Sequence, residues 1–133
     1  MRRDGRLNGS TRPAQTGEWL LEDVFPEVVR HLPEADIPLD GVTAYLCQAT
    51  GHQILFMEFS RDLDVPPHKH GAQWGVVLSG AIALRIDGVE HTYGRGDHYF
   101  IEAGVEHSAR IRSGYADITF FDEPDRYSVR HGA

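Results

Sequence analysis

At 133 residues the chain can bury the core of one domain but is too short for two. Apolar residues make up 41% and charged residues 25%, the composition of a soluble globular protein, and a formal net charge of −7 excludes a generic nucleic-acid surface, which needs clustered Lys and Arg. The single cysteine, Cys47, excludes an internal disulfide and a cysteine-rich zinc site; set in the apolar run 42–49, it reads as a buried, inert thiol.

Residues 1–17 carry four arginines among Gly, Asn, Ser, Thr and Gln, with almost nothing to bury. They read as a flexible arm ahead of one barrel domain spanning 18–133. No apolar run approaches the ~20 residues of a membrane helix, and none follows Arg2-Arg3 to make an export signal. A cytoplasmic protein with no membrane and no nucleic-acid partner is expected. Asp23 can cap a short helix with Pro26 in its first turn. Val24, Val28 and Leu32 then recur at helical spacing until Pro33 ends it, which predicts a short N-terminal helix laid against the barrel.

From Val42 onward the helical period gives way to β-type runs at 42–49, 54–59, 74–78, 81–86, 89–93, 98–101, 107–112 and 116–121, each bounded by Gly, Pro, Asp or Ser. Short strands so closely spaced indicate an all-β sandwich or barrel. The dipeptide Asp87-Gly88 suits a type I′ hairpin turn. That register sets Ile86 opposite Val89, Arg85 opposite Glu90, Leu84 opposite His91 and Ile82 opposite Tyr93, with an Arg85–Glu90 ion pair on the polar face.

Three histidines stand out by spacing. Positions i and i+2 of a strand share a face, so His68 and His70 can present imidazoles to one point, and His107 follows a Gly-containing turn. Neutral imidazole suits zinc, iron, copper, nickel or manganese. A His-x-His pair alone is weak evidence in a chain with eight histidines, but its surroundings are specific. Pro66-Pro67 precede the pair; Gln73, an apolar run and a Ser79-Gly80 turn follow. Later come Gly96, Gly104 and His107.

This pattern resembles the cupin superfamily, whose first motif has the form G-x5-H-x-H-x3–4-E-x6-G and second G-x5-P-x-G-x2-H-x3-N. The first falls on 62–80, with His68, His70 and Gly80 in place; the second on 96–111, with Gly96, Gly104 and His107. Asp62 stands for a Gly, Glu102 for a Pro and Ile111 for the closing Asn. Gln73 stands for the metal-binding Glu, one residue closer to His70 than usual. The resemblance implies a cupin-type double-stranded β-helix, or jelly-roll barrel, holding one divalent transition metal (Zn, Fe, Mn or Ni) on His68, His70, His107 and Gln73, with water in the fourth place if the amide does not reach.

Gln73 brings an amide oxygen but no charge. Three imidazoles and an amide leave the ion's +2 uncompensated, so an anionic ligand should be attracted and Lewis-acid chemistry favoured over oxidation. The implied function is a metal-dependent enzyme acting on a small anionic organic substrate, of isomerase, cyclase, lyase or dioxygenase type. The alternatives are a non-catalytic small-ligand sensor or carrier, and a vestigial site in a structural barrel. Glu58 can point into the cavity as a proton shuttle or outward as a solvated charge. If Gln73 faces the cavity, so do Gly75, Val77 and Ser79, while Trp74, Val76 and Leu78 form an outward apolar stripe. Together with the pairing common in cupins, that stripe leads to the expectation of a homodimer.

Overall fold

A computed structural model of the chain describes residues 24–131. The proposed arm over 1–17 and the capping residue Asp23 lie outside the described residues. Among the described residues nine strands follow one short helix: α1 (Glu27–Arg30), β1 (Val42–Gln48), β2 (Gln53–Phe59), β3 (Leu63–His68), β4 (Gln73–Ser79), β5 (Ala81–Ile86), β6 (Val89–Gly94), β7 (His98–Ile101), β8 (His107–Ile111) and β9 (Ala116–Phe121). They form a five-stranded sheet of order β1-β2-β9-β4-β7 and a four-stranded sheet of order β3-β8-β5-β6, every pairing antiparallel. This is a jelly roll. Among the described residues no helix is long and apolar enough to cross a membrane.

Period-two alternation makes the core. Ala44 and Leu46 of β1, Leu55 of β2, Val77 of β4, Ile82 and Leu84 of β5, Tyr99 and Ile101 of β7 and Ile111 of β8 all point between the sheets and are buried. Each large side chain removed from water there contributes about 1.5–3 kcal/mol before entropy is counted. The β5–β6 hairpin has the expected register throughout. Asp87 and Gly88 take φ of 50° and 82°, the left-handed pair that a type I′ turn requires. The ion pair across it is different, however. Arg85 donates from Nη1 to the Gly88 carbonyl at 2.7 Å, whereas Glu90 meets Arg110 of β8 at 3.9 Å.

Two further expectations need correction. The N-terminal helix is a single turn that starts after Pro26, with no side-chain cap, and it buries none of its residues. Val28 stays 77% exposed, and packing falls instead to Phe25, set edge-on to Tyr45 and Phe56 on the outer face of the large sheet. Cys47 is exposed, because alternation along β1 turns it away from the core that holds Leu46.

Candidate metal centre

The three histidines meet where β3 and β8 pair. His68 closes β3 directly opposite His107, which opens β8. The ladder slips between Val65 and His68, where Pro66 and Pro67 have no N–H to donate. His70 lies just beyond the end of β3, in the turn to β4, so it reaches the centre from a loop and not from the same strand face as His68. That loop is tied down, since Gly104 N–H donates to the His70 carbonyl at 2.9 Å and so joins the His70 turn to the turn before His107. Gly104 has φ of 79°, as do the other motif glycines Gly80 (72°) and Gly96 (89°) within the left-handed region that side chains resist.

Ring centroids lie 4.2 Å apart for His68–His107, 4.8 Å for His70–His107 and 5.2 Å for His68–His70, and one nitrogen from each ring falls within 4.8 Å of the others. The other nitrogens are all engaged: Nδ1 of His68 faces the Pro66 carbonyl at 2.9 Å, that of His70 the Gly71 carbonyl at 2.8 Å, and that of His107 the Val105 carbonyl at 2.9 Å. A carbonyl oxygen only accepts, so each Nδ1 must carry its proton and each Nε2 keeps a lone pair.

His70 Nε2 and His107 Nε2 approach to 3.2 Å. Two lone pairs so close repel unless a proton or cation sits between them. Burial, helped by the Arg126 charge and the other two rings, holds the His70 imidazole down to about 4, and burial likewise lowers His107, so a proton is disfavoured there. Two nitrogens bound at ~2.0–2.1 Å to one ion in octahedral or tetrahedral geometry lie roughly 2.8–3.4 Å apart. The donor set therefore fits a divalent transition metal: three neutral imidazoles oriented by backbone carbonyls, one of them, His107, only 4% exposed.

Gln73 stands on β4, half-buried and paired across to Phe121 and Ile101. On the neighbouring strand β7 the Tyr99 hydroxyl donates to Asp117 Oδ2 at 3.4 Å. Asp117 also accepts from Tyr115 at 2.6 Å and Thr119 at 2.9 Å. Gly75 faces inward and makes room for this cluster; a Cβ there would sit 2.4 Å from Cζ of Tyr99. Val77 also faces inward but fills the apolar core. Glu58 is elsewhere. Alternation along β2 places it with Phe56 on the face beside Tyr45, whose hydroxyl feels its charge, and opposite the face carrying Leu55 and Met57. A shallow hollow bounded by Asp64, Arg85, Glu90 and Arg110 lies on the four-stranded sheet, and no histidine lines it.

Sequence reasoning missed the segment that follows β9. Gly71 N–H donates to Glu123, whose Oε2 lies 4.0 Å from His70 Nδ1. The segment is pinned by buried Gln53, which donates to the Tyr127 carbonyl at 2.8 Å and accepts from Tyr127 N–H at 3.0 Å, and by Gln48, which donates to the Pro124 carbonyl at 2.7 Å. Phe121 packs edge-on against His70 at 5.6 Å. Nothing local in 122–127 announces this. Asp117 and Thr119, inward-facing polar residues inside an apolar run, were the signal available in the sequence.

Residues 56–121, from β2 to the end of β9, match the family model described as a cupin domain. No curated protein matches. Among solved structures, the chain is similar to an RmlC-like cupin from Shewanella frigidimarina NCIMB 400 at TM-score 0.62 and 22% identity, over 72% of this chain and 92% of that one. It is similar to KdgF from Halomonas sp. at TM-score 0.59 and 19% identity, over 68% and 87%. Oxalate decarboxylase from Bacillus subtilis matches at TM-score 0.59 and 18% identity, over 69% of this chain but 27% of that larger one. At such identities the likeness carries the fold. Residues 56–121, just under half of the chain, thus resemble a cupin domain, and the two-sheet jelly roll that contains them has the fold of those solved cupin structures.

Proposed function

We propose that this chain is a metal-dependent enzyme acting on a small anionic organic substrate, in a deprotonation, isomerisation, cyclisation or lyase step, with dioxygenation as the next class. The observation that carries the reading is the convergence of three unprotonated Nε2 atoms, two of them 3.2 Å apart. His68, His70 and His107 would hold the ion, and Gln73 would be the fourth ligand. Gln73 projects from β4 on the same side as Gly75 and Val77, toward the space between the sheets, and its amide oxygen could coordinate without adding charge. A divalent ion there supplies Lewis acidity toward a substrate oxygen. Because all four protein donors are neutral, they leave its charge for an anion to balance.

The test is solvent-proton exchange. Metal-loaded protein incubated in deuterated water with 2-oxo acids, hydroxy acids and phenols should label carbon-bound positions next to a carbonyl, read by NMR, and His107→Ala should not. Tight binding of such acids with no exchange, no isomer and no oxygen uptake would replace the enzyme reading with that of a carrier or sensor.

The homodimer is likewise our proposal. Trp74, 40% exposed, pairs across with Phe100, 57% exposed, and with Phe120, which concentrates aromatic surface on the outer face of the large sheet.

A further inference from the structure

Arg126 is a cation with a buried, unpartnered donor close to the end of β9. Among the described residues its Nε is buried and has no acceptor, and its guanidinium makes no ion pair, although Asp122, Glu123 and Asp125 are near it in sequence. It is not a loose surface side chain. Its Cζ lies 4.6 Å from the centre of the Tyr127 ring and 5.8 Å from that of Phe121, which themselves pack edge to face at 5.7 Å. The backbone beneath it is held through Tyr127 by the fully buried Gln53. A guanidinium held beside two aromatic rings is restrained in position, while its outer donors stay available for a forked acceptor.

The segment that carries this charge is fastened to the metal centre. Phe121, beside the guanidinium, is the ring that packs against His70, and Gly71, next to His70, donates its N–H to Glu123, three residues before Arg126. A cation placed near three metal-binding imidazoles destabilises a bound cation, and a buried N–H without an acceptor forfeits its hydrogen bond. A small anion lying between them would offset both. A carboxylate matches a guanidinium with two parallel N–H···O bonds, the geometry a point charge such as Lys does not reproduce.

We infer that Arg126 is the carboxylate-binding residue of this site, holding one end of a small organic acid by a forked pair of hydrogen bonds while the acid's other oxygen faces His68, His70 and His107. This deepens the proposed function and rests on it for the second contact alone; the carboxylate contact itself does not need the metal. It also gives the anionic substrate a chemical class: carboxylic acids bearing a second oxygen donor, not phosphates or neutral sugars.

Titration calorimetry with pyruvate, 2-oxoglutarate and malonate, and with methyl pyruvate as the uncharged control, tests this on metal-free and zinc-loaded protein. At least one acid should bind both forms, the zinc form more tightly, and the ester at least tenfold more weakly than pyruvate. Arg126→Met, which keeps an apolar stem over Phe121 and Tyr127, should weaken the acids at least tenfold and leave zinc stoichiometry unchanged. Arg126→Lys should recover only part of the loss, and an unshifted unfolding midpoint in that variant separates lost binding from lost fold. Equal binding of acid and ester, wild-type affinity in both Arg126 variants, or no acid bound by either form of the wild type would each overturn the assignment. Acid binding that depends on Arg126 in a protein that takes up no zinc would retain Arg126 and remove the metal reading.

Discussion

Asp117→Asn isolates the energetics of the polar cluster behind the site. Asp117 is 3% exposed, lies in register between Met57 and Val77, and accepts hydrogen bonds from Tyr115, Thr119 and Tyr99. Burial lifts its carboxyl from the ordinary 3.8 to about 6, against the pull of those three hydroxyls. A folded value above the unfolded one gives stability that is fully present below 3.8 and lost as the pH rises through about 6. At roughly 1.4 kcal/mol per pH unit the full effect is about 3 kcal/mol, of which about 2 kcal/mol falls between about pH 4.5 and 7.5. Asn cannot titrate, and any mismatch of its amide with the three hydroxyls adds an offset that does not change with pH. The assay is urea unfolding of both proteins across that window with a chelator present, so that metal linkage is removed and titration of the histidines cancels. Wild-type stability minus variant stability should fall by about 2 kcal/mol as the pH rises. A flat difference, or one that grows with pH, would refute the reasoning, because it would mean the hydroxyls outweigh burial and keep Asp117 ionised.

Gly75→Ala places a Cβ 2.4 Å from Cζ and 2.5 Å from the hydroxyl oxygen of buried Tyr99, so urea unfolding should show a loss of about 2–4 kcal/mol; a loss below ~0.5 kcal/mol would mean the ring moves freely. Gln73→Glu adds a charged donor, and chelator competition should show at least tenfold tighter zinc retention with weaker binding of anions; unchanged retention would place residue 73 away from the ion. Trp74→Glu should shift sedimentation equilibrium from dimer toward monomer and leave metal content unchanged, whereas an undisturbed dimer would move the interface off this sheet face.

The parts of this molecule that were legible in the sequence are those governed by local period. The runs 81–86, 98–101 and 116–121 coincide with β5, β7 and β9, and the Asp87-Gly88 turn set its hairpin register because only two left-handed residues close such a loop. His68, His70 and His107 were marked by spacing and are brought together. What was illegible depends on distant chain. Strand β3 does not stand out as a β-type run, because Pro66 and Pro67 interrupt its hydrogen-bonding pattern and only pairing with β8 makes it a strand. Glu58 and Cys47 depended on which face of their strands turned inward, and that is set by the opposite sheet. Arg126 and Glu123 reach the site because Gln48 and Gln53, more than 70 positions earlier, bind the backbone of the tail. No pattern within 122–127 records that contact.

The central claim is that three imidazoles on β3, on the loop after it and on β8 share one cation. Its most direct measurement is the metal content of untagged protein after dialysis against zinc, iron, nickel and manganese in turn, with His68→Ala, His70→Ala and His107→Ala alongside. One divalent ion per wild-type chain, lost in all three folded variants, is the expected result. Wild-type protein that retains none of the four, or a His107→Ala variant that retains as much as wild type, would contradict it.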